Sequence, residues 1–239
     1  MSRLRRVKME SEWTTTLIFG DSKVGKTTLS GTAPKPIILN RDNGTSSLLY
    51  DDRFEPVRVI DIRSNADYEV SWDNLAGVGA KDWTRFRSNV HDDLGSIQQM
   101  IQDELMQLVV ERDPRRQMDD PGRKEYGILG NRLRRWVRKY KDLPQHKIFI
   151  CGQFYDEELE QFRPSLIGAM RNQIAHYCDT IGYLRVSKKD GETRYLHLRS
   201  KGRIYAETRF WWLPPRIKNP NLTTLFNMIT AGPAEEVQG

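Results

Sequence analysis

Eight residues, Gly20-Asp21-Ser22-Lys23-Val24-Gly25-Lys26-Thr27, fit G-x-x-x-x-G-K-[ST] at every fixed position. The two glycines let the backbone curl so that successive N–H groups turn inward toward phosphate oxygens. Lys26 supplies a point charge to the β- and γ-phosphates, and the Thr27 hydroxyl ligates Mg²⁺. With Thr28, the next helical residue, this run is the expected nucleotide-binding set. Its context agrees, because an apolar strand, Thr15–Phe19, precedes the loop and a helix, Lys26–Ser30, follows it.

A phosphate-binding loop also needs an acidic residue at the end of a neighbouring strand to hold the Mg²⁺ water shell. Two regions compete for that role. Val57–Asp61 (VRVID) is an apolar strand ending in Asp61, whereas Val90-His91-Asp92-Asp93 precedes a long helix behind a polar strand, Phe86–His91.

Two further clusters invite a functional reading. Arg132, Arg134, Arg135, Arg138, Lys139 and Lys141 crowd one helix whose other face is Leu129, Leu133, Trp136, Val137 and Tyr140. Like charges at this spacing repel, so an anionic neighbour would stabilise the helix: nucleic-acid phosphates or acidic residues of an adjoining subunit. A solvated face is the plain alternative. Phe210-Trp211-Trp212-Leu213 offers either a stacking surface for bases or core and subunit packing.

The elements that must position these residues alternate between strand and helix. Pro36–Asn40 (PIILN), Pro56–Ile62 (PVRVIDI), Lys147–Cys151 (KIFIC), Thr180–Val186 and Thr193–Leu198 read as strands; Leu94–Val110 and Ile128–Tyr140 carry the apolar period of helices. That alternation predicts an α/β domain with a mainly parallel sheet flanked by helices. The domain is expected over residues 13–230, with a basic tail at 1–12 and a second tail at 231–239. A mobile segment is expected at 111–126 (ERDPRRQMDDPGRKEY), where almost nothing is apolar.

Composition excludes some classes and leaves others open. The chain has 239 residues, enough for a sizeable core, and only two cysteines, Cys151 and Cys178, which supply neither a disulfide framework nor metal-ligand spacing. No apolar run approaches a membrane span and no secretory signal opens the chain, so the expected place is the cytoplasm. Residues 1–120 carry 17 Lys and Arg against 20 Asp and Glu, and residues 121–239 carry 21 against 12. A polyanion would meet the second half first.

From about Thr15 to Ile229 the chain resembles the phage-type RecA-like P-loop ATPases, a group that includes single-strand annealing recombinases. The resemblance rests on the phosphate loop, Glu125-Tyr126-Gly127, Leu129-Gly130-Asn131 with Arg134-Arg135, and Asp142-Leu143-Pro144 with His146. It continues through Pro164-Ser165-Leu166-Ile167-Gly168, Ile181-Gly182-Tyr183-Leu184, Leu213-Pro214-Pro215 and Asn219-Pro220.

That resemblance implies a RecA-like core and an Mg²⁺-dependent ATPase of phage DNA recombination, binding single-stranded DNA and working as a homo-oligomer, ring or filament, in the host cytoplasm. It points to Asp92 as the metal carboxylate and leaves Asp61 an ordinary strand-end residue. Asp42 is the implied counterpart of the carboxylate that orients the attacking water, with an Asx-turn or capping role as the alternative. Gln153 would sense the γ-phosphate, and Phe154–Arg163 would be the loop it drives toward DNA, or else a solvated loop. Arg209 stands where such proteins place an arginine reaching a neighbour's γ-phosphate; Lys201 and Arg203 are rival donors. The nucleic-acid set is Arg132, Arg134, Arg135, Arg138, Lys139 and Arg163. Departures from the family pattern at the Asp92 strand, at Asp42 and at Glu207 keep a second reading open, a nucleotide-gated DNA- or protein-binding module that scarcely hydrolyses ATP.

Overall fold

The computed structural model describes residues 12–42, 44–48, 57–168, 170–188 and 192–233. Of the two expected tails, all but Glu12 and residues 231–233 lie outside this set, as do Pro56 and Asn43.

Six strands form the parallel body: β1 (Thr15–Phe19), β2 (Pro36–Asn40), β3 (Arg58–Asp61), β4 (Ser88–Asp92), β5 (His146–Cys151) and β8 (Thr180–Ser187). Three more, β9 (Thr193–His197), β10 (Glu207–Thr208) and β11 (Arg216–Lys218), add antiparallel. The order is β11-β9-β8-β1-β5-β4-β2-β3, with β10 beside β8. The strand before the phosphate loop and the strand ending in Asp92 are thus separated by β5.

The central strands β1, β2 and β5 are buried along their whole length, which is why they read as apolar runs. Along β1, Leu17 and Phe19 point into one core and Ile18 into the other; along β2, Ile37 and Leu39 part from Ile38 in the same way. The first core is closed by α2 (Asn65–Leu75), α3 (Leu94–Arg112), α4 (Arg123–Lys141) and α5 (Met170–Tyr177). The second is closed by α1 (Lys26–Ser30) and α6 (Leu222–Ala231). Polar ties fix the helices: Trp136 Nε1 donates to Asn65 Oδ1 at 2.8 Å, and Trp72 Nε1 to the Lys139 carbonyl at 3.0 Å. Leu222 N donates to Thr32 Oγ1 at 2.8 Å, which docks α6 on the end of α1.

Two segments differ from the sequence expectation. Helices enter the 111–126 stretch from both sides, so the connection narrows to residues 113–122. Glu125 is buried in the first turn of α4 and pairs with Arg116 at 3.4 Å, so a charged composition here extends a helix. Phe154–Arg163, expected as a loop, belongs to a hairpin of β6 (Gln153–Asp156) and β7 (Gln161–Pro164). Tyr155 lies opposite Phe162 with ring centroids 5.1 Å apart, the kind of cross-strand aromatic pair that stabilises a two-stranded ribbon.

Candidate nucleotide-binding site

The carboxyl ends of β1, β5, β4 and β2 open on one cleft of about 740 Å³, a volume suited to a nucleotide. The phosphate loop leaves β1 at Gly20, where an added Cβ would stand 2.2 Å from the Leu184 carbonyl oxygen of β8. Only glycine lets the loop back this closely onto the sheet. Gly25 has φ 95°, in the left-handed region that glycine adopts without strain. Val24 does not line the cleft; its side chain packs against the apolar core and its carbonyl accepts from Arg194 Nε at 3.1 Å.

Lys26 arches over the loop, donating to the Gly20 carbonyl at 3.1 Å and to the Asp21 carbonyl at 2.7 Å. Burial lowers its pKa from the ordinary value, and the carboxylates of Asp93, Asp92 and Asp21 oppose that shift. The Ser22 amide donates to the Asp21 carboxylate at 2.8 Å. A phosphate would meet the same donors.

Thr27 Oγ1 donates to Asp92 Oδ2 at 2.6 Å. Asp93, one residue on, caps α3 by accepting from the Ser96 amide at 2.7 Å. Burial raises the pKa of Asp92, countered by the Thr27 hydrogen bond and reinforced by Asp93 and Asp42. Burial also raises that of Asp93, countered by the Ser96 amide and reinforced by Asp42. Asp42 therefore shares the field of this pair. Asp61 does not: it ends the outermost strand, where it accepts from Asn40 Nδ2 at 3.1 Å.

The polar side chains of the strand that carries Asp92 find their partners inside the fold. Ser88 through Asp92 are all buried. Asn89 Nδ2 donates to Gln145 Oε1 at 3.0 Å, so Asn89 Oδ1 is left to accept from His91 Nε2 at 2.9 Å. His91 Nδ1 then accepts from the Tyr68 hydroxyl. Asn89 and His91 are thus both satisfied on each side, while Gln145 Nε2 is left without a partner, and burial pushes His91 down to about 3, holding it neutral.

ATP and Mg²⁺ fit what these residues offer. Thr27 and Asp92 are hard oxygen donors, and Mg²⁺ takes one or two carboxylates plus phosphate and water oxygens rather than a full protein cage. Among the described residues no group of three or more His, Cys, Asp or Glu forms such a cage. Gln153, two residues past the end of β5 and first in β6, lines the cleft, and its Oε1 is buried without a hydrogen-bond partner, an orphan acceptor beside the place for phosphate and water.

Other expected site residues lie elsewhere. Arg209 is not in its own chain's cleft: it pairs with Asp179 at 3.3 Å, and Asp179 caps the amino end of β1 by accepting from Thr15 N at 2.8 Å. That end is opposite the phosphate loop. Arg203 stacks over Tyr155, and Lys201 lines a cleft with His197 and Arg216. Arg163 is half-buried over the Tyr205 ring at 4.4 Å. On α4, Lys139 lies over Trp72 and Trp136, and Arg134 is held by Gln173 at 2.6 and 3.0 Å. Of the cations expected to meet nucleic acid, Arg135 and Arg138 are exposed and Arg132 is half-exposed. Phe210 and Trp212 pack toward α6, and Trp211 stands 71% exposed.

Four residues of the cleft were not anticipated as part of it, Gly44, Asp93, Gly152 and Arg194. Asp93 carried a signal, an aspartate before a helix; Arg194 carried none, being one more cation on a strand. Residues 13–210 of the 239 match the family model of the AAA domain, and the chain belongs to that family. The fold is accordingly that of an α/β P-loop nucleotide-binding ATPase. No curated protein matches the chain. Among the described residues no helix is long and apolar enough to cross a membrane.

Proposed function

We propose that this AAA-domain chain binds ATP with Mg²⁺ and hydrolyses it, and the observation that carries the reading is the Thr27–Asp92 hydrogen bond beside Lys26. Lys26 exchanges its loop carbonyls for β- and γ-phosphate oxygens. Thr27 and Asp92 hold the metal and its water shell, and bound Mg²⁺ would neutralise charge on the transferred phosphoryl group. Asp42, across the cleft, orients the attacking water and accepts its proton. Gln153 accepts from that water or reads the γ-phosphate, and the β6–β7 hairpin that begins at Gln153 carries the signal outward.

The finer reading is a RecA-like protein of phage DNA recombination that binds single-stranded DNA. The exposed Arg135 and Arg138, with the half-exposed Arg132, form the cationic stripe such a strand would follow. Arg209 lies at the end of the sheet opposite the cleft, which favours a head-to-tail assembly bringing it to a neighbour's phosphates; such contacts generate rings or filaments.

The test is ATP turnover with and without single-stranded DNA, comparing wild type with Lys26→Ala and Asp92→Asn. Turnover in wild type that collapses in both variants supports the reading. Wild-type turnover no faster than that of Lys26→Ala under either condition overturns hydrolysis and leaves a nucleotide-gated binding module.

A further inference from the structure

Arg194 lies in β9, far in sequence from the phosphate loop, yet its Nε donates to the Val24 carbonyl at 3.1 Å. A Cβ on Gly25 would stand 2.8 Å from the same nitrogen, so the guanidinium rests against the loop's second glycine. Its backbone is tied in both directions to Asn219: Arg194 N donates to Asn219 Oδ1 at 3.3 Å, and Asn219 N to the Arg194 carbonyl at 2.7 Å. The side chain thus projects from a fixed base.

It also forms a shared wall. Arg194, Gly25 and Thr28 line both the main cleft and a second one of about 400 Å³, which continues past Thr32 to the turn Asn219-Pro220-Asn221. Asp42, Asp92 and Gln153 line only the main cleft. The loop therefore has two ends. At one, Lys26 sits on the Gly20 and Asp21 carbonyls with the carboxylates nearby; at the other, Arg194 sits on Val24 and Gly25, on the side shared with the second cleft.

We infer that Arg194 is a nucleotide-binding residue acting within its own chain, contacting the α- and β-phosphates where the nucleoside leaves toward the second cleft. The inference rests on the nucleotide reading above and deepens it. An arginine at this end holds a nucleoside diphosphate as well as a triphosphate, since both carry the α- and β-groups. It stabilises ground state and transition state alike, so its loss falls on KM and not on kcat. An arginine reaching the γ-phosphate would do the reverse.

The experiment measures calorimetric affinity for ADP and ATP, and KM and kcat, for wild type, Lys26→Ala, Arg194→Ala, Arg194→Lys and Arg194→Gln, with melting temperatures alongside. Arg194→Ala is expected to weaken ADP and ATP by the same factor, about tenfold to a hundredfold, the range of one charge-assisted hydrogen bond. Arg194→Lys, which keeps a charge for the phosphate, restores most of that loss, and Arg194→Gln does not. Rescue by Arg194→Gln as good as by Arg194→Lys would mean that the side chain only shapes the loop through Val24, and would overturn the inference. So would unchanged affinity in Arg194→Ala, or a loss confined to kcat. Wild type that binds neither nucleotide, like Lys26→Ala, would instead remove the nucleotide reading itself.

Discussion

Thr27 and Asp92, 65 residues apart in the chain, meet through a 2.6 Å hydrogen bond that reaches past β5. The hydroxyl and the carboxylate are already at the separation of two ligands on one ion, so metal binding exchanges a proton contact for a shared cation with little movement. Asp92→Asn keeps the shape of this pair and removes its charge. Turnover is expected to fall by about a hundredfold or more, the usual scale for losing a fixed charge partner of a transition state. ADP affinity measured with chelator present should stay near that of wild type; a parallel loss there would show Asp92 to be a structural prop of the loop.

Gly20→Ala tests the loop's floor. A methyl group 2.2 Å from the Leu184 carbonyl oxygen forces β1 and β8 apart. Overpacking of this kind costs about 1–3 kcal/mol, and in a chain of this size each kcal/mol lowers Tm by about 2–4 °C. A melting curve that overlays wild type would place the loop elsewhere.

Acid should destabilise the fold through its buried histidines. Burial holds His91 at about 3 and His146 at about 4, below the ordinary 6.5. The unfolded chain protonates both as pH falls through 6.5 while the folded chain does not, so their stability is complete above that pH and declines toward 4. Each such histidine contributes a slope of up to about 1.4 kcal/mol per pH unit. Urea denaturation at pH 7, 6 and 5 measures it, and His91→Gln should flatten the decline by one histidine's share. An identical slope in that variant would mean that His91 is protonated within the fold.

On α4 the arginines should separate by role. Alanine at Arg135 and Arg138 is expected to leave Tm unchanged and to reduce the salt dependence of single-strand binding by about 0.7 in log–log slope per cation. Arg134→Ala, losing its hold on Gln173, should instead lower stability by about 1 kcal/mol. Equal effects of all three on DNA would mean that Arg134 leaves Gln173 to reach the strand.

Arg209→Ala removes an ion pair whose arginine is 57% exposed, which contributes little to stability. Its effect on turnover should be far larger, about a thousandfold if the guanidinium completes a neighbour's site. Mixing it with Lys26→Ala subunits should then recover activity, because intact loops meet intact arginines. Two variants that stay inactive together would leave Arg209 to its bond with Asp179.

The sequence made the cleft's near side plain and its far side obscure, for a physical reason. Gly20 to Thr28 is a local motif whose spacing can be read along the chain. The strand SNVHD reads as polar and poor because its partners, Tyr68 and Gln145, lie 23 and 56 residues from the groups they satisfy. Asp92 was found through family resemblance rather than through the pattern of its strand. The β6–β7 hairpin was hidden by an acidic turn, although Tyr155 and Phe162 carried its pairing. Arg194 could not be found without knowing that β9 and the 219–221 turn come together.

The polar chain along β4 also settles which register that strand can take. An apolar strand slipped by one position still buries apolar groups, and grease alone distinguishes the alternatives weakly. Ser88, Asn89 and His91 each meet one particular partner, at Pro34, Gln145 and Tyr68. A slip of one residue turns every side chain to the opposite face and orphans all three at once. The height of Asp92 above the sheet, and with it its reach to Thr27, is set like a key by the teeth behind it.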